Sequence, residues 1–172
     1  MRLLISTIIC LGVGFLAGVN VYGSDTSSKE DIHCLALNIY HEAVSEPLRG
    51  KIAVSYVVLN RVKSSKFPNT VCDVVFEGPH RPHWKDKYRQ VPIKNMCQFS
   101  WYCDGKSDEV FDLDAYDDCF EIARRVLNEY GTERADDPSK GAMWYHADYV
   151  NPKWSNTLKR TTKIGRHIFY KQ

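Results

Sequence analysis

The chain has 172 residues, of which 44% are hydrophobic and 26% charged. That is enough for one domain with a real core, and too evenly mixed for a disordered or fibrous protein. The formal net charge of +2 suits an anionic partner such as a cell wall. No Lys/Arg stripe suited to tracking phosphates occurs, which excludes nucleic acid as the partner.

In chain order, Met1-Arg2 carries one positive charge and Leu3 to Ser24 carries none. Leu3 to Val19 is mostly apolar, and Val21 and Gly23 supply small residues before a cleavage point. Residues 1–23 therefore read as a signal peptide or an N-terminal membrane anchor, and both readings imply export. Residues 24–30 read as a polar linker and 31–172 as the exported domain. Cysteine use agrees with an oxidising compartment: Cys34, Cys72, Cys97, Cys103 and Cys119 lie in the body and Cys10 in the leader. Cys97 with Cys103, then Cys34 with Cys72, are the natural pairs, leaving one body thiol over.

A first helix is predicted from Lys29 to Val44, with Ile32, Leu35, Ala36, Ile39 and Ala43 forming one apolar stripe. Ser45-Glu46-Pro47 breaks it and opens a second helix, to about Lys63, with Ser45 or Glu46 at its cap and Pro47 in its first turn. That helix is apolar nearly all round and should be central. Asn69 is expected to cap a short segment from Thr70 to Phe76, and Glu77 to Lys94, with Pro79, Pro82 and Pro92, reads as a long surface loop. A third helix is expected from Asp114, its cap, to Tyr130, burying Tyr116, Phe120, Ala123, Leu127 and Tyr130. Ala142 to Tyr149 is strand-like, and Thr161 to Tyr170 reads as two short strands around Gly165. Helices first and strands last indicate an α+β domain with a small C-terminal antiparallel β element.

Glu42 is the first candidate for chemistry. It follows Leu35 by seven positions, so it projects about 20° away from that residue, beside the apolar stripe. A carboxyl group there is partly desolvated, which favours its protonated form and suits a general acid. The same position also fits an ordinary surface glutamate. His41-Glu42 is no zinc motif, because Ser45 stands where the second histidine belongs. His33 and His41 project roughly 80° apart, and no Cys-x-x-Cys occurs, so no metal and no cofactor is expected. Gln98-Phe99-Ser100-Trp101-Tyr102 and Trp144-Tyr145-His146-Ala147-Asp148-Tyr149 combine aromatic, amide and hydroxyl groups. Such groups bind sugars, and they also build ordinary cores.

The run Asn38-Ile39-Tyr40-His41-Glu42-Ala43 is followed by Pro47 and by Val58-Leu59-Asn60-Arg61-Val62. Then come Phe67-Pro68-Asn69-Thr70-Val71-Cys72, Cys97-Gln98-Phe99-Ser100, Cys103-Asp104-Gly105 and Tyr145-His146-Ala147. The series closes on Ile164-Gly165-Arg166-His167-Ile168-Phe169-Tyr170. This series resembles the SleB-type cell-wall hydrolases, in their cysteine-bearing proteobacterial or phage form, across Asp31 to Tyr170. Val44-Ser45 departs from the Arg-Gly pair of that pattern, and the loop from Gly78 to Asn95 is longer than in compact members.

The resemblance implies a lysozyme-like α+β fold with a helical core. It also implies cleavage of the bond between N-acetylmuramic acid and N-acetylglucosamine in peptidoglycan, with Glu42 as the acid. Gln98, Ser100, Tyr145 and His146 would hold the substrate. The lytic transglycosylase outcome is favoured over a hydrolytic muramidase because Glu46 and Asp104, the only other nearby carboxylates, look structural. A non-catalytic wall-binding module and an exported amidase or peptidase are the other classes. The expected partner is the peptidoglycan strand, bound by a monomer that touches membrane only through residues 3–24.

Overall fold

The computed structural model describes residues 28–172. The leader, and the linker as far as residue 27, lie outside the described residues. The fold has four helices, three ahead of the first strand and one between the two sheets: α1 (Lys29–Ala43), α2 (Leu48–Lys63), α3 (Val71–Val75) and α4 (Leu113–Glu129). Two small sheets accompany them. β1 (His80–Pro82) pairs with β2 (Gln90–Pro92), and β3 (Trp144–Ala147), β4 (Lys159–Ile164) and β5 (His167–Lys171) form an antiparallel sheet in the order β3-β5-β4. Single-turn 3-10 segments occupy Ser100–Cys103 and Lys153–Thr157. No described helix is long and apolar enough to cross a membrane.

Helix α1 starts where Ser28 accepts a hydrogen bond from the Asp31 amide, so its first turn takes in Lys29 and Glu30 from the expected linker. Its stripe lands where the periodicity places it: Leu35, Ala36 and Ile39 are fully buried. They pack with Tyr56, Val58 and Leu59 of α2, Val74 and Val75 of α3, and Cys119, Ala123 and Val126 of α4. A second cluster joins Ala43, Ala53, Val54 and Val57 to Ala142 and Phe169, so the helices rest on the β sheet.

Several boundaries differ from the sequence reading. The cap of α2 is Pro47 itself, which has no side-chain donor or acceptor to offer, and Glu46 instead accepts the Arg166 amide at 3.0 Å. Thr70, not Asn69, caps α3 through its bond from the Asp73 amide. Asp112, not Asp114, caps α4, and Asp114 sits in the first turn, where its charge faces the positive helix end. At α3 and α4 the residue with a short acceptor three positions before a free amide wins. The buried face of α4 is Cys119, Ala123 and Val126, while Tyr116, Phe120, Leu127 and Tyr130 pack at its margins. The expected loop contains β1 and β2, because Pro82 and Pro92 fall at strand ends, where no ladder donor is needed.

The cysteines pair as Cys34–Cys72 and Cys97–Cys103, leaving Cys119 as a buried free thiol. The first bond ties α1 to α3. Gly165, between β4 and β5, adopts φ +54°, and a Cβ there would collide with the Glu46 carboxylate. Only glycine lets this turn press on the corner between α1 and α2.

Candidate active site

One open cleft of ≈ 440 Å³ runs along the end of α1, bounded by the Gln98–Asp104 segment on one side and by the sheet on the other. Glu42, Gln98, Ser100, Tyr145 and His146 all line it. The sequence places them more than a hundred residues apart at the extremes, and the fold brings all five together.

Glu42 lies in the last turn of α1, between the buried Ile39 and Ala43. It is half-buried: anchored in the core at its base and open to the cleft at its carboxyl end. Burial raises its pKa, and this outweighs two opposing influences, the hydrogen bond from Tyr145 and the charge of Arg61. The Tyr145 hydroxyl donates to Glu42 Oε2 at 2.9 Å. Burial and the neighbouring carboxylate push that phenol well above its ordinary value, so it stays protonated and remains a donor.

Arg61 lies almost wholly buried behind this pair. Its Nε donates to the Met143 carbonyl at 2.8 Å, and its guanidinium stacks over Phe99 at 4.9 Å and Phe67 at 5.2 Å. Burial lowers its pKa, opposed by Tyr145, Glu77 and Glu42. A charge enclosed this way is stable only with aromatic faces and carboxylates nearby.

The opposite wall is pinned to α1. Trp101 Nε1 donates to the buried Asn38 Oδ1 at 3.0 Å, one turn before Glu42. The His41 ring stacks on Trp101 at 4.4 Å and 17°. The Cys97–Cys103 bond closes the segment on itself. The segment between them is a 3-10 turn with Trp101 buried, not a strand, and Ser100 is left exposed at its start. Asp104 accepts the Lys106 amide at 2.8 Å and pairs with Lys106 Nζ at 3.4 Å, contacts that hold its carboxyl below the usual range. It precedes Gly105, which turns the chain at φ +86°.

His146 has both ring nitrogens engaged within the protein, Nδ1 with the Ala147 carbonyl at 2.9 Å and Nε2 with the Tyr170 hydroxyl at 3.0 Å. It therefore offers the cleft a ring face rather than a free nitrogen. His33 bonds Tyr116 at 2.7 Å and shares nothing with His41. Among the described residues no group of three His, Cys, Asp or Glu side chains is arranged to hold a metal.

Sequence reasoning passed over Arg61, His41 and His167 as cleft residues. Arg61 had a signal: it is the one cation of α2 that falls within the apolar stretch from Ile52 to Val62, and a buried charge demands partners. His167 had none, because its burial beside Tyr145, at 4.9 Å between rings, depends on the register of β3 against β5.

Comparison with known proteins fits this geometry. A family model described as cell wall hydrolase matches residues 45–170. The spore cortex-lytic enzyme of Bacillus cereus is 32% identical over 145 residues, which are 84% of this chain and 45% of that protein. The Bacillus subtilis enzyme of the same name is 31% identical over 143 residues, 38% of its length. The chain thus spans under half the length of these relatives. Among solved structures, the catalytic domain of the germination-specific lytic transglycosylase SleB from Bacillus anthracis superposes with a TM-score of 0.59 at 31% identity, covering 85% of this chain and 98% of that domain. The catalytic domain of the Bacillus cereus SleB protein gives 0.58 at 30% identity, covering 93% and 100%. The architecture is lysozyme-like α+β, and the chain belongs to the SleB-type cell wall hydrolase family.

Proposed function

We propose that this protein cleaves the N-acetylmuramic acid to N-acetylglucosamine bond of peptidoglycan as a lytic transglycosylase, with Glu42 as its acid and base. The observation that carries the reading is the protonation bias of Glu42 at the cleft, with a neutral Tyr145 donor on one oxygen. The matched family range begins three residues beyond Glu42, so this role rests on the surroundings of the side chain.

Glu42 would deliver its proton to the departing glycosidic oxygen as positive charge develops at the muramic carbon. The resulting carboxylate is what Tyr145 and Arg61 favour, since both oppose the burial that holds the proton. Glu42 would then take the proton from the sugar's own hydroxymethyl oxygen, which closes an anhydro ring without water. Asp104 is the one other carboxylate lining the cleft, and Lys106 occupies it. That supports the one-carboxylate route over a hydrolase with a second acid. Gln98 and Ser100 would meet the acetamido sugars, Tyr145 would position the acid, and the His146 ring face would pack against the strand. Action on the wall requires export, as the leader suggests, and the reading takes the protein as a monomer with residues 3–24 its only membrane contact.

Digestion of purified peptidoglycan followed by mass spectrometry of the strand ends tests this. Anhydro-muramic ends are expected; reducing muramic ends would make it a muramidase, and released peptides an amidase. Glu42→Gln should lower turnover about 10²- to 10⁴-fold while wall binding persists.

A further inference from the structure

The segment from His80 to Gln90 contains Arg81, Lys85, Lys87 and Arg89 against the single carboxylate of Asp86. Its local surplus of positive charge exceeds the +2 of the whole chain. Folding collects Lys85, Lys87 and Arg89 at the tip of the β1–β2 hairpin, which closes through His83 N to Arg89 O at 2.8 Å, with Arg81 on β1 paired to Val91. No ion pair among the described residues engages any of the four. Trp84 and Tyr88 at the same tip are 77% and 85% exposed. The Lys85 ammonium lies 4.5 Å from the Trp84 ring centre, and that of Lys87 lies 5.2 Å from the Tyr88 ring centre.

The hairpin springs from the cleft wall. Gln98 N donates to the Glu77 carbonyl at 2.9 Å, and His80 Nε2 meets the Tyr102 hydroxyl at 3.3 Å. Gly78 lies so close to the Cys97–Cys103 bond that a Cβ would stand 3.0 Å from Cys97 Sγ. The base is thus fixed to the segment that carries Gln98 and Ser100, and three residues of strand carry the tip roughly 10 Å outward.

We propose that the β1–β2 hairpin is a second binding site, an arm that holds the acidic peptide side arms of the glycan strand beyond the cleft. This rests on the peptidoglycan reading above and adds the part of the substrate that the cleft does not address. A peptide-bearing strand offers free carboxylates at regular intervals and apolar sugar faces between them. Unpaired Lys and Arg answer the first, and exposed rings answer the second. A phospholipid surface is the weaker fit, since residues 80–90 include no Leu, Ile, Val, Met or Phe to enter the acyl region.

The test uses full-length protein carrying Glu42→Gln, so that the wall stays intact and residues 1–23 contribute equally to every sample. Co-sedimentation is measured with whole sacculi, with sacculi stripped of peptides by an amidase, and with phosphatidylglycerol vesicles. Adding Lys85→Glu with Lys87→Glu, or separately Trp84→Ala with Tyr88→Ala, should weaken binding to whole sacculi about tenfold. Stripping the peptides should weaken the parent similarly and leave the Lys variant with no further loss. Both variants alter exposed tip residues, so the parent's melting temperature should be retained. Unchanged binding to whole sacculi, an equal loss from the Lys variant on stripped glycan, or a loss seen only on vesicles would each overturn the arm. If Glu42-bearing protein releases no strand ends from sacculi, the lyase reading fails by itself, and the sedimentation result still decides the arm.

Discussion

The two sides of the cleft are built by different means. Glu42 stands on a helix whose inner face is fully buried, so its position is set by close packing of Leu35, Ile39 and Ala43. The facing wall, from Glu77 to Cys103, buries little beyond Phe99, Trp101 and Cys103. It is held by one short disulfide, a few backbone bonds and the Trp101–Asn38 contact. The difference teaches a division of labour. Chemistry needs a group placed to within a fraction of an ångström, which a core supplies. Recognition tolerates a lightly stapled surface that can carry an extension such as the β1–β2 hairpin without disturbing the packing behind Glu42.

The largest effect that would break this contrast is on the core side. Replacing Cys34 and Cys72 together by Ser removes a cross-link over 38 positions. On loop entropy that costs about 4 kcal/mol, measured by urea unfolding. Replacing Cys97 and Cys103 removes one over 6 positions and should cost about 2 kcal/mol. The relation between stability and activity should then invert: the second pair should lose more sacculus binding per unit of stability than the first. Equal losses would show that the wall is no more independent than the core.

Tyr145→Phe sharpens the comparison at its centre and should lower turnover about tenfold. The Tyr145 hydrogen bond favours the Glu42 carboxylate, so its loss raises the acid's pKa further. Activity that requires protonated Glu42 should then persist to higher pH, with the descending limb of the pH profile displaced upward. A downward displacement would mean that Tyr145 holds the proton rather than the charge.

The smallest effect is on stability. The raised pKa of Glu42 means the folded state binds its proton more tightly than the unfolded chain does. Its contribution is therefore fully present below the ordinary carboxyl range and is lost as pH rises through the folded value. Glu42→Gln should accordingly melt higher than the parent at neutral pH, and the gap should close toward pH 4 and below. A constant gap would assign the effect to packing instead.

Much of this was legible in the chain. The α1 stripe, the turn at Gly165 and the Cys97–Cys103 disulfide followed from local spacing, because helix period, tight turns and short loops are local properties, whereas Cys34–Cys72, 38 positions apart, came only as the next pair available. The caps at Thr70 and Asp112 were misplaced by one and two residues, since neighbouring Asn and Asp side chains compete for the same free amides, and the start at Pro47 was misplaced because it uses no side-chain acceptor at all. Glu42 was readable as an acid beside a stripe, but its Tyr145 donor was placed only as a sugar contact. The bond between them spans 103 positions and exists only through the β3–β5 register. Arg61 was missed because a periodicity argument gives no reason to tell it from Arg49, Lys51 and Lys63 of the same helix, all of which are less buried.

The pinning of the Gly165 turn onto Glu46, with Arg166 N reaching back 120 positions, has a consequence for the newly made chain. A polypeptide emerging amino end first would present α1 and its carboxylic acid long before the sheet arrives to desolvate it. Until then Glu42 is an ordinary hydrated glutamate, ionised at neutral pH and with no proton to give. On the function proposed above, the last strand is in this sense the arming step: the acid gains its proton when head and tail of the domain meet, and a chain cut short of Trp144 should release no strand ends from sacculi.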